Sequence, residues 1–443
     1  MPYVSDLLTA AAASVTGTPT PTRSWQWRRG ATLISGATAE TYTVTEADIG
    51  SALTVQQIER NVAGVATATS AATAAVQAFD PIALFQSGEE GAWYDPSDLT
   101  TLYQDSIGTT PVTAAGQPVG LMLDKSKGGL QAELVDTFND AASWVAYGNN
   151  IVEQDGDAVK ITYVDDNRGA YQYLDAGGLT ENLSNGTTYR ISFQSKTNTA
   201  DTPPSILLVS FGALINEPLT QAYETFHVIG DKLTAVTPFI RPSFMAAGDV
   251  VWVRAVSVRE LPGNHATQST STARPTLQVS GGLYYLDFDG VDDTMRTTFA
   301  STQAQPNTIA AAFKFDVASR LEFLVDGVGS DRHALYKNPT QLRLYAGSWI
   351  TDPSDIGTNE HVVFGHLNTT SSDLRVDGSS VITGNPGIVS WGGVTLGGTS
   401  ADPSIYPLNG RIYGFVGVNR TLTTAEIEAT ESYLATKSGV TLP

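Results

Sequence analysis

The sequence predicts an all-β protein built from several β-sandwich domains. Only 16% of the 443 residues are charged, and 41 glycines interrupt short runs rich in Thr, Ser, Ala and Val. Within such runs, as in 251–258, apolar and polar residues alternate, which is the pattern of half-buried strands. The chain is too long for one domain of ordinary size, and a hydrophobic content of 41% can supply several cores. We therefore expect β-sandwiches and little helix.

The charge and the cysteine content exclude several classes of function. The chain carries 45 acidic and 25 basic residues, a net charge of −20, and no cluster of Lys and Arg interrupts this excess. Such a surface repels a phosphate backbone, so no nucleic-acid partner is expected. The sequence has no cysteine, which excludes disulfides, thiolate metal sites and thiol nucleophiles. It fits assembly in a reducing cytoplasm.

No membrane insertion and no export signal are expected. Segment 7–15 is Ala-rich, has no basic segment before it and is flanked by polar residues. It is too short for a membrane span or for the apolar part of a signal peptide. A role at a surface would therefore require release by lysis or delivery on a particle.

Residues 1–77 form the first predicted unit. Trp25 and Trp27 share one strand face, segments 42–44 and 53–55 repeat the period of two, and glycines mark the turns between them. Short segments of this unit resemble cysteine-free bacterial and phage immunoglobulin-like domains: 25–30, 34–38, 42–44, 47–50 and 61–64. In that family a Trp is buried at the centre and a Tyr hydroxyl often ties down a corner. The resemblance implies a spacer or docking domain, with direct ligand binding as the alternative.

A second unit is divided in the sequence. Segments 123–129 and 262–268, read together, resemble a stretch that runs unbroken near the start of laminin-G-like, concanavalin A-type lectin domains of phage and prophage proteins. Segments 93–99, 283–293 and 408–416 resemble strands of the same family in the same order. The resemblance implies a discontinuous lectin domain over 78–128 and 263–443, called the framework domain below, with residues 129–262 inserted into it.

The framework domain is predicted to end in a short helix. Thr423 and Glu426 have the spacing of a capping box, in which each side chain bonds the other residue's backbone N–H. Ile427 and Leu434 are seven residues apart and share one helix face. Gly439 is placed to end the helix in a left-handed conformation.

The insertion, residues 129–262, is predicted to be a third β-sandwich. Segments 133–135, 189–196 and 251–260 alternate as strands do, and together they resemble the jelly-roll carbohydrate-binding modules of glycan-active enzymes and adhesins. In such sandwiches the first and last strands lie side by side. The two ends of the insertion are then close together, as an insertion into a surface loop requires.

The resemblance also implies how a sugar would bind to the insertion. A pyranose has an apolar face that stacks on an aromatic ring and a rim of hydroxyls that takes hydrogen bonds. Rings and a polar loop predicted at the surface form the candidate site: Tyr147, Tyr171, Tyr173, Asp166, Asn167, Arg168 and Phe226. Trp144 and Trp252 are expected in the core. The alternative for each ring is a place in the core.

No cofactor is predicted, and the metal sites stay unknown. Segment 287–293 is the densest group of carboxylates, but adjacent strand side chains point apart and calcium takes six or more oxygens, so a turn is favoured over a calcium site. In the insertion, the resemblance implies an acidic calcium ligand at the position that Arg254 occupies. A structural calcium ion is therefore the alternative that is not favoured.

No catalytic residue is predicted. The concanavalin-like glucanases use carboxylates that alternate along one strand, and the nearest match here, segment 153–157, contains a glycine and is expected to be a loop. The five histidines form no HExxH motif. His361 and His366 are expected on opposite faces of a strand and so cannot act as a pair of ligands.

This combination of domains resembles the receptor-binding fibres or spikes of tailed phages and gene transfer agents. It implies a non-catalytic adhesin on the surface of a virion or phage-like particle, assembled in the host cytoplasm. The N-terminal domain would bind other particle proteins, and the lectin-like domains would bind host-cell polysaccharide, either capsule or lipopolysaccharide. A homo-oligomer is left open. The alternatives are a polysaccharide depolymerase with carboxylates scattered in sequence, and a structural decoration protein without a ligand.

Overall fold

The structure is a computed structural model that describes residues 2, 4, 6–135, 139–165, 170–173, 179, 183–200, 203–210, 213–232, 239–243 and 245–443. Within these residues the chain forms 33 strands in six sheets and one α-helix, which confirms the predicted all-β class. The short 3-10 helices are Glu46–Asp48, Pro81–Phe85, Leu99–Thr101, Ala141–Ser143, Ser271–Ala273 and Thr369–Ser371. Among the described residues we find no helix with the length and apolar character of a membrane span.

The first six strands form a small two-sheet unit. They are β1 Leu7–Thr9, β2 Thr22–Arg29, β3 Thr32–Leu33, β4 Thr41–Thr43, β5 Leu53–Asn61 and β6 Gly64–Thr69. Strand β1 pairs with β4, and the other sheet has the order β3-β2-β5-β6. Trp27 is buried and stacks on Tyr42 with ring centroids 5.5 Å apart. The Tyr42 hydroxyl donates to Asp48 at 2.8 Å, the kind of tied corner that the resemblance implied.

Three short strands follow: β7 Gly91–Tyr94, β8 Leu102–Tyr103 and β9 Leu121–Met122. The insertion then contributes ten strands, β10 Val145–Ala146, β11 Ile151–Asp155, β12 Ala158–Thr162, β13 Ala170–Tyr173, β14 Thr188–Thr197, β15 Ser205–Ser210, β16 Ala213–Pro218, β17 Glu224–Asp231, β18 Phe239–Ser243 and β19 Val250–Glu260. They form two five-stranded sheets, β10-β13-β18-β15-β16 and β11-β12-β19-β14-β17.

The rest of the chain adds fourteen strands. They are β20 Ala266–Thr267, β21 Thr276–Ser280, β22 Leu283–Asp289, β23 Met295–Gln303, β24 Asn307–Phe315, β25 Glu322–Asp326, β26 Ala334–Lys337, β27 Leu342–Tyr345, β28 Trp349–Thr351, β29 Glu360–Leu367, β30 Ser372–Val376, β31 Ser379–Gly384, β32 Trp391–Leu396 and β33 Asn409–Val418. One sheet has nine strands, β28-β27-β26-β25-β32-β23-β20-β9-β8. The other has eight, β21-β22-β33-β24-β29-β30-β31, and β7 pairs with β33. Strands from both sides of the insertion therefore share these two sheets.

The eight-stranded sheet is covered on both faces. Along β24, Ile309 and Phe313 join the core between the two large sheets, whereas Ala310 and Ala312 face the helix α1, Thr424–Ser438. Because both faces of β24 are covered, this strand is apolar at every position from Ile309 to Phe313.

The capping predicted for the helix is confirmed. Thr423 and Glu426 form both bonds of the capping box, and Gly439 ends the helix with a φ of 77°. Leu434 is fully buried and packs with Ile427 in one cluster, so the predicted apolar face is also present.

The two ends of the insertion lie side by side. The Gln131 N–H donates to the Glu260 carbonyl at 2.9 Å, and the Leu134 N–H donates to the Val258 carbonyl at 2.9 Å. This is the geometry expected for an insertion into a surface loop, because the framework chain does not have to stretch to admit it. The domain boundaries at 77/78, 128/129 and 262/263 stay predictions.

The insertion contacts the framework domain through Ile229. Its N–H donates to the Ile107 carbonyl at 2.7 Å, and its side chain is 4% exposed. The residues packed around it are Tyr103, Leu121, Leu123 and Leu261. A backbone hydrogen bond and an apolar cluster together fix how this end of β17 lies on the framework domain.

Candidate functional site

Tyr147 and Tyr171 form a ring pair on the insertion. Strand β10 pairs with β13 so that Val145 lies opposite Tyr171, which brings the loop after β10 over that strand. The ring centroids of the two tyrosines are 4.8 Å apart, and the ring planes meet at 41°. Both residues are half-buried, so each is partly exposed to solvent. The pair has the size and character of a stacking surface for a sugar.

Polar groups fix the loop beside this ring pair. The backbone N–H and the side-chain amide of Asn149 both donate to the Asp165 carboxylate, at 2.7 and 2.6 Å. The Asn150 side-chain oxygen accepts the N–H groups of Val164 and Asp165, at 2.7 and 3.2 Å. The loop after Tyr147 is thus tied to the segment before position 166. Amide and carboxylate groups lie close in sequence to the rings and are held in place before any ligand arrives.

The other predicted site residues are distributed differently. Asp166, Asn167 and Arg168 lie outside the described residues, and for Tyr173 the structure gives a position in β13 opposite Phe239. Phe226 lies in β17, in the other sheet of the insertion. The structure therefore brings together two of the predicted rings, Tyr147 and Tyr171.

The expectation that Phe226 joins this surface is wrong in its geometry. Phe226 is opposite Phe193 on the neighbouring strand, and the two rings stack with centroids 5.2 Å apart. Phe193 is 1% exposed, and Val228, two residues after Phe226, is fully buried. Because side chains two apart share a strand face, Phe226 points to the inner face of β17 and packs on the core.

The expectation that Trp252 is a core residue is also wrong. Val251 and Val253 are buried on the inner face of β19, which leaves Trp252 on the outer face, half-buried. Its indole N–H donates to Asp155 at 2.8 Å, and the Lys196 ammonium lies 4.9 Å from its ring centroid. Trp144 is buried, as expected.

Arg254 belongs to the same outer face. Its guanidinium carbon lies 3.7 Å from the ring centroid of Tyr223, and its Nη1 lies 3.2 Å from a carboxylate oxygen of Asp157. The sequence contained the signal that places Trp252. Trp252 and Arg254 are two residues apart and share a strand face, between Val251 and Val253 on the other face. A side chain that shares a face with Arg is rarely in a core. The cations and carboxylates of this outer face pair with one another and with the rings.

Three carboxylates converge after β22. One oxygen from each of Asp289, Asp292 and Asp293 lies within 4.8 Å of the others. Gly290 has a φ of 78°, so the predicted turn is present, but the expectation that the carboxylates diverge is wrong for these three. Burial and the charges of the neighbouring carboxylates raise the pKa of Asp293 to about 6. If each carboxylate binds through one oxygen, the three supply half or fewer of the oxygens that calcium takes.

The histidines of β29 are separated, as predicted. His361 Nδ1 lies 2.7 Å from an oxygen of Asp377, and His366 Nε2 lies 3.1 Å from the Thr421 hydroxyl. Burial lowers the pKa of His361, but the hydrogen bond and the charge of Asp377, together with the Ile356 backbone and the charge of Glu360, outweigh burial, so that the pKa is raised. Each ring is engaged on its own face of the strand, so the two do not form a paired site.

The segment 153–157 is part strand and part turn. Its first three residues end β11, and Gly156, with a φ of 63°, starts the turn into β12. The prediction of a loop is right for 156–157 only. Asp155 bonds Trp252 and Asp157 bonds Arg254, so both carboxylates belong to the outer face of this sheet.

The comparisons with known proteins give distant likenesses. No protein-family model and no curated protein sequence matches the chain. The CBM22-1-CBM22-2 tandem domain of Paenibacillus barcinonensis Xyn10C is 10% identical, over 69% of this chain and 100% of that one, with a TM-score of 0.27. A Trypanosoma rangeli sialidase in complex with the inhibitor DANA is 12% identical, over 88% of this chain and 81% of that one, with a TM-score of 0.31. TM-scores this low do not assign a family or a function to this chain.

Proposed function

We propose that this chain is a non-catalytic polysaccharide-binding protein. The observation that carries the proposal is the Tyr147 and Tyr171 ring pair, with the hydrogen-bonded Asn149 and Asp165 in the adjoining loops. The rings offer an apolar platform for the face of a pyranose, and the polar groups are suited to its hydroxyl rim. A shallow platform of this kind binds weakly at each site and gains strength from several copies.

The setting that we propose is the surface of a phage or phage-like particle. There the N-terminal domain would bind other particle proteins, and the insertion and framework domain would bind the capsule or lipopolysaccharide of the host cell. The resemblance of segments 123–129 and 262–268 to phage lectin domains supports this setting. Display in many copies on a particle supplies the multivalency that weak sites need.

A depolymerase is the second candidate, and one observation favours it. Asp293, with a pKa raised to about 6, lies beside two further carboxylates, and glycosidases pair a protonated carboxyl with an ionised one. Against a catalytic role, Asp293 is 5% exposed and one of its oxygens accepts the Asp289 N–H at 3.0 Å.

The test of this function separates binding from cleavage. The full chain is incubated with capsule and lipopolysaccharide from the host, and both co-sedimentation and the release of reducing ends are followed. We expect co-sedimentation with no release of reducing ends. Release of oligosaccharides that is abolished by Asp293→Asn would establish the depolymerase instead, and no co-sedimentation would leave a decoration protein.

A further inference from the structure

We propose that a second saccharide-binding site lies in the cleft between the insertion and the nine-stranded sheet. This inference rests on the proposed function, because it assigns a further site for the same class of ligand. The cleft has a volume of about 690 Å³, which lies in the range of small-molecule sites. It is separate from the ring pair, since neither Tyr147 nor Tyr171 lines it.

The floor of the cleft is a polar face of three adjacent strands. Thr267 of β20 pairs with Arg296 of β23, and Arg296 pairs with Thr395 of β32, so the three side chains form one row. Thr298 follows Arg296 on the same face of β23, and both are exposed. The alternate residues, such as Phe299, are buried in the core. The sheet therefore holds the floor rigidly.

Two further segments complete the cleft, and both are held by hydrogen bonds. On the insertion, the Thr188 hydroxyl donates to Asp231. On the framework domain, Arg296 donates to the Ser400 carbonyl at 3.2 Å, and the Ser400 N–H donates to the buried Asp326 at 3.0 Å. The groups around the cleft are thus fixed before a ligand enters, which lowers the entropic cost of binding.

The lining indicates which ligand the cleft would take. Serines and threonines make up most of the polar residues along it: Ser106, Thr188, Thr267, Ser269, Thr294, Thr297, Thr298, Thr395, Thr399 and Ser400. Apart from the His265 ring, none of the side chains that line it is aromatic. Such a lining exchanges hydrogen bonds with a ligand rich in hydroxyls but offers no platform for stacking.

The charges in the cleft favour a neutral ligand. Asp231 and Arg296 contribute one charge of each sign. His265 has both ring nitrogens engaged, with the Asp124 N–H at 3.0 Å and the Leu261 carbonyl at 3.0 Å. A balanced pair gives little net attraction for an anion, and the chain as a whole repels one. The ligand class is therefore a neutral oligosaccharide.

The cleft depends on the contact between the insertion and the framework domain. Ile107 and Ile229, joined by a backbone hydrogen bond, both line it. A ligand that touches both walls binds only while the two are in contact, so its binding stabilises that contact.

The test measures sugar binding to the full chain and to single-site variants. Isothermal titration calorimetry is run with a panel of neutral gluco-, galacto- and manno-oligosaccharides and with uronate oligosaccharides. Thr298→Trp fills the cleft, and Arg296→Ala removes one donor without adding bulk. Thr302→Trp is the matched control, because Thr302 is exposed on the same strand but does not line the cleft. Tyr147→Ala with Tyr171→Ala removes the ring pair.

We expect a neutral oligosaccharide to bind the ring-pair variant, and Thr298→Trp in that background to weaken binding at least about tenfold. Arg296→Ala should weaken it less, and Thr302→Trp should leave it unchanged. Binding lost in the ring-pair variant and intact in Thr298→Trp would overturn the cleft site and leave the proposed function standing. No sugar bound by the wild-type chain would overturn both. Tighter binding of uronates would overturn the neutral class.

Discussion

The Asp124 carboxylate accepts the backbone N–H of Asn264 at 2.7 Å, across 140 residues of sequence. Its other oxygen accepts the N–H groups of Trp93 and Ser126, at 2.9 and 2.8 Å. Asp124 is 1% exposed. The two halves of the divided segment therefore meet in space, and one buried carboxylate joins the chain before the insertion to the chain after it.

We expect Asp124→Ala to destabilise the framework domain. The substitution leaves three backbone N–H groups without their acceptor, and each unsatisfied buried group costs about 1–3 kcal/mol. The melting temperature should fall by roughly 6 °C or more. Asp355→Ala is the control, because Asp355 is exposed and accepts one backbone N–H. Equal melting temperatures for the two variants would show that Asp124 does not hold the junction.

We expect the framework domain to fold without the insertion. A short Gly-Ser bridge in place of 129–262 has little distance to span, because Gln131 and Glu260, near the two ends, are hydrogen-bonded in the intact chain, and loop closure costs little. The variant should melt cooperatively, at a lower temperature because Tyr103 and Leu121 lose their cover. Circular dichroism is the measurement. An aggregated variant, together with an unfolded 130–261 fragment, would contradict the domain-within-domain organisation.

We expect the stability to fall below pH 6.5 because of His333. Burial lowers its pKa from 6.5 to about 4, although a hydrogen bond to the Val389 carbonyl opposes this shift. Between these values the unfolded chain binds a proton that the folded chain does not, so the free energy of unfolding decreases as the pH falls. The loss amounts to about 3 kcal/mol. The free energy of unfolding of His333→Gln, measured with urea, should depend less on pH than that of the wild type. The same pH dependence in both proteins would show that His333 is not the cause.

Asp293 should have the opposite pH dependence. Its pKa in the folded chain is raised from 3.8 to about 6, so the stability associated with its protonated form is present below pH 3.8 and lost as the pH rises through 6. Asp293→Asn should therefore match the wild type at pH 4 and exceed it above pH 6 by about 1 kcal/mol, after allowance for solvent screening. The same difference in the free energy of unfolding between Asp293→Asn and the wild type at pH 4 and at pH 8 would contradict this.

The same variant tests for a metal. We expect EDTA to leave the melting temperature unchanged, because a cation bound only to the folded chain would raise it. If chelation lowers the melting temperature of the wild type and added calcium restores it, while Asp293→Asn shows no such change, a calcium site at Asp289, Asp292 and Asp293 is established.

Local signals in the sequence predicted some elements well. The helix ends depend on Thr423, Glu426 and Gly439, whose roles are set by near neighbours, and all three were predicted. Alternation predicted which side chains share a strand face. Trp252 was assigned to the wrong side although it shares a face with Arg254, and Phe226 was assigned to the wrong side because alternation alone does not show which face is buried.

The two tertiary contacts on which the candidate sites depend could not be predicted. The Tyr147 and Tyr171 pair depends on the register of β10 with β13, and the cleft depends on where Ile229 meets the framework domain. Both follow from tertiary packing, which no local pattern encodes.

The central claim is that the Tyr147 and Tyr171 pair binds polysaccharide, and the most direct measurement is the dissociation constant for host polysaccharide immobilised on a sensor. Tyr147→Ala with Tyr171→Ala should weaken binding at least about tenfold and leave the melting temperature within a few degrees, as for surface rings. Tyr223 is a half-buried tyrosine that stacks on Arg254 of the other sheet of the insertion, and Tyr223→Ala should bind as the wild type does. An unchanged dissociation constant in the double variant, or an equal loss in Tyr223→Ala, would contradict the claim.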